Sequence, residues 1–333
     1  MGSRRKALEG LNPQRPHPGL WLDKYLESLD REDTGAKRAL VGKVAGIGEP
    51  EGYGAFFARW REALQAVGAE VREAETLGRL AVGLGGEGVL ETALALHRTY
   101  GVPYIPGSAL KGLASRYAHL HLEGEAWRRE LARFQRGEAQ AGLFGTQEER
   151  GAVVFFDALP LPGTWRLWPD ILNPHHPAYY RGEEAPPADW DSPIPVPFLS
   201  VTGTFLLALR PAEEGAGPWV EAAWQILEWA LSEEGVGAKT ASGYGRMRLL
   251  EPPKPPGNPV LEGLLQRVRS GGVKYRDFRA FLKGLPLDKL RPEDWAELRQ
   301  ALEEKGFLRN KQDLRAMAKE EGVRRALEAL GVL

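Results

Sequence analysis

The sequence predicts an α+β fold: an antiparallel sheet with helices on one face, followed by a separate helical region at the C-terminal end. Three observations carry this prediction. Short β-branched and aromatic runs at 152–157 and 204–210 alternate with amphipathic helical stretches at 108–122 and 219–231, without the regular units of a doubly wound sheet. Five prolines in nine residues, 251–259, divide the chain with a stiff extended segment. Beyond that segment the apolar spacing is helical throughout.

In chain order, the first 50 residues are rich in Gly, Pro and charge, with an apolar patch at Trp21, Leu22, Tyr25 and Leu26. Phe56, Phe57, Trp60, Leu64 and Val67 predict a helix over 55–67. Segments 79–82 and 90–96 read as strands around a glycine-rich turn. Pro106 blocks an earlier helix start, so Ser108 is expected to cap a helix running to Leu122. A strand follows at 152–157, another at 204–210, and then a helix over 219–231 with Val220, Trp224, Leu227 and Leu231 on one face. Residues 245–250 close the region as a strand. The order suits a ferredoxin-like arrangement. The division expected is an N-terminal segment 1–78 packing on the core, a core 79–250, the Pro-rich linker 251–259 and a helical region 260–333. Helices are expected there over 260–270, 275–283, 292–305 and 311–330.

Composition narrows the function. The 333 residues are 43% hydrophobic and 27% charged, a globular balance. With no cysteine, disulfides, thiol catalysis and Cys-based zinc sites are excluded. No apolar run is long enough to predict a membrane span, and the basic start Met1–Lys6 precedes no apolar stretch, so neither membrane nor signal peptide is expected and a cytoplasmic location fits. The net charge of -1 is unlike a stand-alone nucleic-acid binder, although a local positive groove can exist in a neutral protein. The segment 254–333 is more basic, with 17 Lys+Arg against 12 Asp+Glu, which suits RNA, an acidic partner or simply a solvated helical surface. Twenty-five prolines, three methionines and no cysteine give a thermophile-like texture.

Several motifs are decoys. Gly83-x-Gly85-x-x-Gly88 mimics a dinucleotide fingerprint, but Ser108 stands where the ribose-binding acid belongs, and a tight hairpin turn is the better reading. Residues 237–240 hint at a phosphate loop, but Ala238 and Glu233 occupy its required glycine positions. The six histidines show no metal spacing with a third ligand, so no metal or other cofactor is expected. His175 and His176, beside Tyr179 and Tyr180 in a Pro-rich loop, are candidate general bases for metal-independent RNA cleavage, or else part of a loop that contacts RNA or protein or merely orders itself.

Two segments carry the positive signal. In the first, 100–116, two prolines lead an extended arm into a helix N-terminus, whose free N–H groups and dipole favour an anion. Gly107 would admit a ligand to the backbone, Ser108 would cap or donate, and Lys111 and Arg116 would add charge. In the second, 235–246, four glycines make a backbone able to lie along a sugar-phosphate chain. There Gly237, Gly243 and Gly245 give close approach, Lys239 and Arg246 neutralise phosphate, Thr240 and Ser242 offer hydroxyls, and Tyr244 could stack on a base. An ordinary capped helix and a helix-to-strand loop are the bland alternatives. In a ferredoxin-like arrangement the loop could lie beside the helix and form one groove.

The segment Ile105-Pro-Gly-Ser-x-Leu-Lys-Gly112 and the loop 237–246 resemble the helix start and C-terminal glycine-rich loop of the RAMP superfamily of CRISPR proteins. The intervening segments 170–180 and 195–201 make the chain most similar to the sixth-subunit family of the Cmr complex, the type III-B effector. The resemblance covers about 79–250, and Ala109 departs from it where the family more often has Ser.

The resemblance implies an RRM-like core that grips guide RNA by its backbone through Ser108, Lys111, Lys239 and Arg246. It implies a subunit capping the filament near the guide 3′ end. Its partners would be guide RNA, with single-stranded target RNA nearby, and the repeating backbone subunit, the small helical subunit and the other head subunit. In the family the cutting aspartate belongs to the backbone subunit, so this chain is expected to be non-catalytic. The competing expectations are a RAMP-type endoribonuclease processing precursor guide RNA, and a purely structural subunit.

Overall fold

The run Phe205-Leu-Leu-Ala-Leu209 is buried at every position. Side chains alternate across a strand, so this segment must be covered on both faces, and it forms the middle of the main sheet. The computed structural model describes residues 17–28, 30, 33–86, 88–130, 135–173, 182, 195–251 and 258–332. The chain divides into two units, Met1–Pro252 and Pro253–Leu333.

The main elements of the first unit are α1 (Pro18–Lys24), α2 (Thr34–Ala45), α3 (Tyr53–Ala66), β1 (Glu70–Thr76), α4 (Gly107–His121), α5 (Glu138–Phe144), β2 (Val153–Phe155), β3 (Leu159–Pro160), β4 (Arg166–Leu172), β5 (Val196–Thr202), β6 (Thr204–Pro211), α6 (Gly217–Glu233) and β7 (Met247–Leu249). The main sheet runs β2–β6–β1–β7, antiparallel throughout, with β3 also paired to β6. Among these four strands, the first and third in chain order are inner and the second and fourth are outer. That is the ferredoxin-like order. β4 and β5 form a separate antiparallel ribbon inserted before β6.

The two crossover helices share one face of the sheet, as the sequence predicts. Leu110, Ala114 and Ala118 of α4 and Val220, Trp224 and Leu227 of α6 join Ala74, Phe205, Leu207 and Leu209 in the main core. The opposite face is covered too. Tyr53, Phe57 and Leu64 of α3 pack on Leu206 and Ala208, and the Tyr53 hydroxyl donates to the Pro160 carbonyl at 2.6 Å.

The sequence reading misplaces the first strand. Residues 79–82 and 90–96 form only isolated bridges, Leu80 to Val201 and Leu96 to Pro103. Glu91 adopts a φ of 64°, which interrupts extended backbone in the second of these segments. The inner position belongs to β1, which lies within 1–78. Its sequence, Glu-Val-Arg-Glu-Ala-Glu-Thr, hides the role because only Ala74 is fully buried. Arg72 still covers core surface, its guanidinium 4.7 Å from the Trp224 ring centroid and 3.6 Å from Glu221. Residues 83–86 form a turn, as expected, and Ala93 and Ala95 donate back to Leu84 and Val82.

The second unit is helical: α7 (Pro259–Arg269), α8 (Phe278–Lys283), α9 (Pro292–Glu304), α10 (Lys311–Met317) and α11 (Glu321–Ala329). A 3-10 turn, Tyr275–Asp277, replaces the first turn of the helix expected at 275. The helix expected over 311–330 is broken in two. The break at 318–320 lets Leu314 and the Val323, Ala326 and Leu327 face reach one shared core with Phe278 and Leu298. Among the described residues, no helix is long and apolar enough to cross a membrane.

Candidate functional site

The first N–H of α4 is taken by a protein carboxylate. The Gly107 N–H donates to Asp157 Oδ1 at 2.7 Å. A Cβ on Gly107 would sit 2.3 Å from the Phe155 carbonyl oxygen, so glycine is required here by packing against β2 rather than for ligand access. Ser108 makes no cap; Pro106 holds the cap position, and the Ser108 side chain is exposed. The Asp157 carboxylate supplies the negative charge that the helix dipole favours.

The glycine-rich loop is folded onto the segment that follows β1. Ala238 donates to the Ala81 carbonyl at 2.7 Å, Gly245 to Arg79 at 2.8 Å, and Leu77 to Arg246 at 2.9 Å. Gly235, Gly237 and Gly245 each lie against backbone too closely for a Cβ, whereas Gly243 faces open space. A short 3-10 turn, Thr240–Ser242, caps the loop. Among the described residues, the Thr240 and Ala241 N–H groups meet no acceptor.

Helix and loop come together in a groove of about 670 Å³. Ala109, Gly112, Leu113 and Arg116 of α4 form one wall, and Gly237, Thr240, Ala241 and Arg246 the other. Arg246 is exposed and, among the described residues, without an ion pair. The groove is not uniformly positive. Glu233 and Glu234, at the end of α6, line it as well. Glu234 accepts from Arg116 Nε at 3.3 Å and lies 2.9 Å from His121 Nε2, while Tyr117 donates to Glu233 at 2.7 Å. Burial, then the bond and charge of Glu233, push the Tyr117 phenol up to about 12.

The other predicted residues lie elsewhere. Lys111 is half-buried on α4 and outside the groove lining; burial and then the neighbouring Arg136 hold its pKa below the ordinary lysine value. Lys239 leans over Phe198 and Tyr244, its Nζ 5.7 and 5.9 Å from their ring centroids. Tyr244 is half-buried, donates to Asp170 Oδ2 at 2.5 Å and packs beside Phe198, so it is a supporting residue rather than a free stacking platform. Ser242 and Gly243 are exposed at the loop tip. His175, His176, Tyr179 and Tyr180 lie outside the described residues.

The sequence reading passed over Glu234, Asp170 and Arg79. Asp170 also accepts from Arg79 Nη1 at 3.0 Å and from Ser200 Oγ at 3.3 Å. Burial opposes its ionisation, but the Tyr244 and Ile171 hydrogen bonds and the Arg79 charge hold its carboxyl below the ordinary range. Burial and Asp170 in turn push the Tyr244 phenol up to about 12. No local spacing signals this node, because its members lie 30 to 91 positions from Asp170. Among the described residues no group of three or more acidic or histidine side chains could hold a metal ion.

This combination of a ferredoxin-like sheet, a Pro-Gly helix start and a glycine-rich loop beside it coincides with a family match. The RAMP superfamily matches residues 73–248, and the chain belongs to that superfamily. Within it the chain is similar to the CRISPR system Cmr subunit Cmr6 of Pyrococcus furiosus (strain ATCC 43587 / DSM 3638 / JCM 8422 / Vc1). The two are 33% identical over 248 residues, which cover 59% of this chain and 72% of that one. Among solved structures, a chain of the cryo-EM structure of the type III-B Cmr-beta bound to cognate target RNA matches with 22% identity and a TM-score of 0.49, covering 65% of this chain and 71% of that one. The crystal structure of Cmr6 from Pyrococcus furiosus matches with 33% identity and a TM-score of 0.36, covering 55% of this chain and 98% of that one.

Proposed function

We propose that this protein is an RNA-binding and assembly subunit of a type III-B Cmr effector. It holds the guide RNA by its backbone, caps the filament near the guide 3′ end and is itself non-catalytic. The observation that carries this reading is the groove between α4 and the glycine-rich loop, which exposed Arg246 lines together with Thr240 and Ala241, whose backbone N–H groups meet no acceptor among the described residues. Such a site offers charge and main-chain donors to phosphate but no base-reading pattern, so binding would be salt-dependent and tolerant of sequence. Glu233 and Glu234 in the lining limit the positive stretch, which suits a protein holding a short part of a longer strand shared with its neighbours. Those neighbours are the repeating backbone subunit, the small helical subunit and the other head subunit, with target RNA passing nearby. The family assignment supports this choice of partners.

The test is to purify the tagged protein from its host at mild salt, identify its companions by mass spectrometry and sequence the bound RNA. Co-purification with other Cmr subunits and short guide RNAs is expected. Recovery of the chain alone without RNA would overturn the assembly reading. Cleavage of a repeat hairpin by the isolated chain without metal would replace it with the processing enzyme.

A further inference from the structure

The β4–β5 ribbon carries a cation and aromatic layer that the groove does not include. Register pairing sets Trp168 opposite Ser200 and Arg166 opposite Thr202, so these four side chains share one face of the ribbon. The guanidinium carbons of Arg166 and Arg79 lie 4.2 and 5.1 Å from the Trp168 ring centroid. The indole N–H is fixed by donating to the Thr202 hydroxyl at 2.9 Å.

The two arginines differ in what else holds them. Arg79 is committed to Asp170 and also donates to the Pro169 carbonyl at 3.2 Å. Arg166 is exposed, and among the described residues it has no carboxylate partner and no hydrogen bond. Among the described residues the layer sets Arg79, Arg166 and Lys239 against the one carboxylate of Asp170, an excess of positive charge. It is also continuous with the glycine-rich loop, through Arg166, Trp168, Arg79, Asp170 and Tyr244 in successive contact.

We propose that Arg166, held over the Trp168 ring, is a phosphodiester-binding residue that carries a single RNA strand from the loop onto the β4–β5 ribbon; this rests on the RNA-binding reading above. A guanidinium already stacked on an aromatic ring loses less freedom on binding, and its N–H edge is planar and matched to phosphate oxygens. Its partner is therefore the backbone of single-stranded RNA, and sequence preference is not part of its role.

The experiment measures binding of fluorescein-labelled oligouridine to the full chain and to R166A, R166K and R246A across a salt series, with thermal melting as the folding check. R166A should weaken binding several-fold and lower the slope of log affinity against log salt by about one. R166K should recover part of the slope but not the full affinity, because an ammonium does not stack as a plane. Weakening by R246A with R166A unchanged would overturn this inference and leave the groove reading intact. No effect from either variant would overturn both. If R166A left RNA affinity unchanged but lost companion subunits from the purified complex, the layer would be a protein contact and the inference would again fall.

Discussion

The Tyr244 hydroxyl donates to Asp170 at 2.5 Å across 74 positions of sequence, tying the glycine-rich loop to the inserted ribbon. Arg79 joins the same carboxylate at 3.0 Å. Loop, ribbon and the segment after β1 are therefore held at one point, which fixes where the loop's N–H groups face.

Tyr244→Phe should keep the ring against Phe198 and lose the bond, costing about 1–2 kcal/mol at neutral pH. Asp170 is held below its ordinary pKa, so its contribution is present above the ordinary carboxylate range and lost as pH falls through the depressed value. Tyr244 is shifted the other way, and its contribution is lost as pH rises from 10.0 through about 12. Denaturant unfolding of both proteins across pH should show the gap largest at neutral pH and narrowing at both extremes. A constant gap would remove Asp170 as the acceptor.

The loop glycines should differ in kind. Gly243 has a φ of 86° with open space around its missing Cβ, so Gly243→Ala should cost only about 1–2 kcal/mol of backbone strain. At Gly245 a Cβ would sit 2.0 Å from the Val236 carbonyl oxygen, and φ is also positive at 79°. Gly245→Ala should cost roughly 4 kcal/mol or displace the loop. Comparing the melting temperatures of the two variants checks this order.

Charge in the groove should be tunable from both sides. Arg246→Ala should lower affinity for single-stranded RNA several-fold, and Lys111→Ala should do less, because Lys111 stands outside the groove beside Arg136. Glu234→Gln should tighten binding and steepen its salt dependence, since it frees Arg116 and removes a negative wall. Fluorescence anisotropy at several salt concentrations measures all three.

In the C-terminal unit, Asp294 accepts from the Arg291 guanidinium at 3.1 and 3.2 Å and from Asn258 Nδ2 at 2.8 Å. The Arg291 bonds first, then Asn258, hold its pKa down at about 2. Its contribution is present above 3.8 and lost as pH falls through about 2. An acid titration followed by circular dichroism should show a helical transition in that window, and Asp294→Asn should move unfolding to milder conditions and flatten the pH dependence.

The chain's local texture was enough to locate α4, α6 and β6 within a few residues, because an apolar period reports which face of an element is buried. The two motifs were also legible as a pair, since a Pro-Gly helix start and a dense glycine loop are local features. What lay beyond the sequence was which side chains those elements would bring together. β1 is an inner strand despite four charged residues, because burial there is shared by Ala74 and the stem of Arg72. Gly107, Lys111 and Tyr244 read as ligand-facing, but Asp157, Arg136 and Asp170 arrive beside them from distant positions in the chain. Helical period orders side chains along one element; strand order and register decide what stands opposite them. For that reason the acidic part of the groove lining at Glu234 and the placement of Arg166 over Trp168 emerge only once the sheet is assembled.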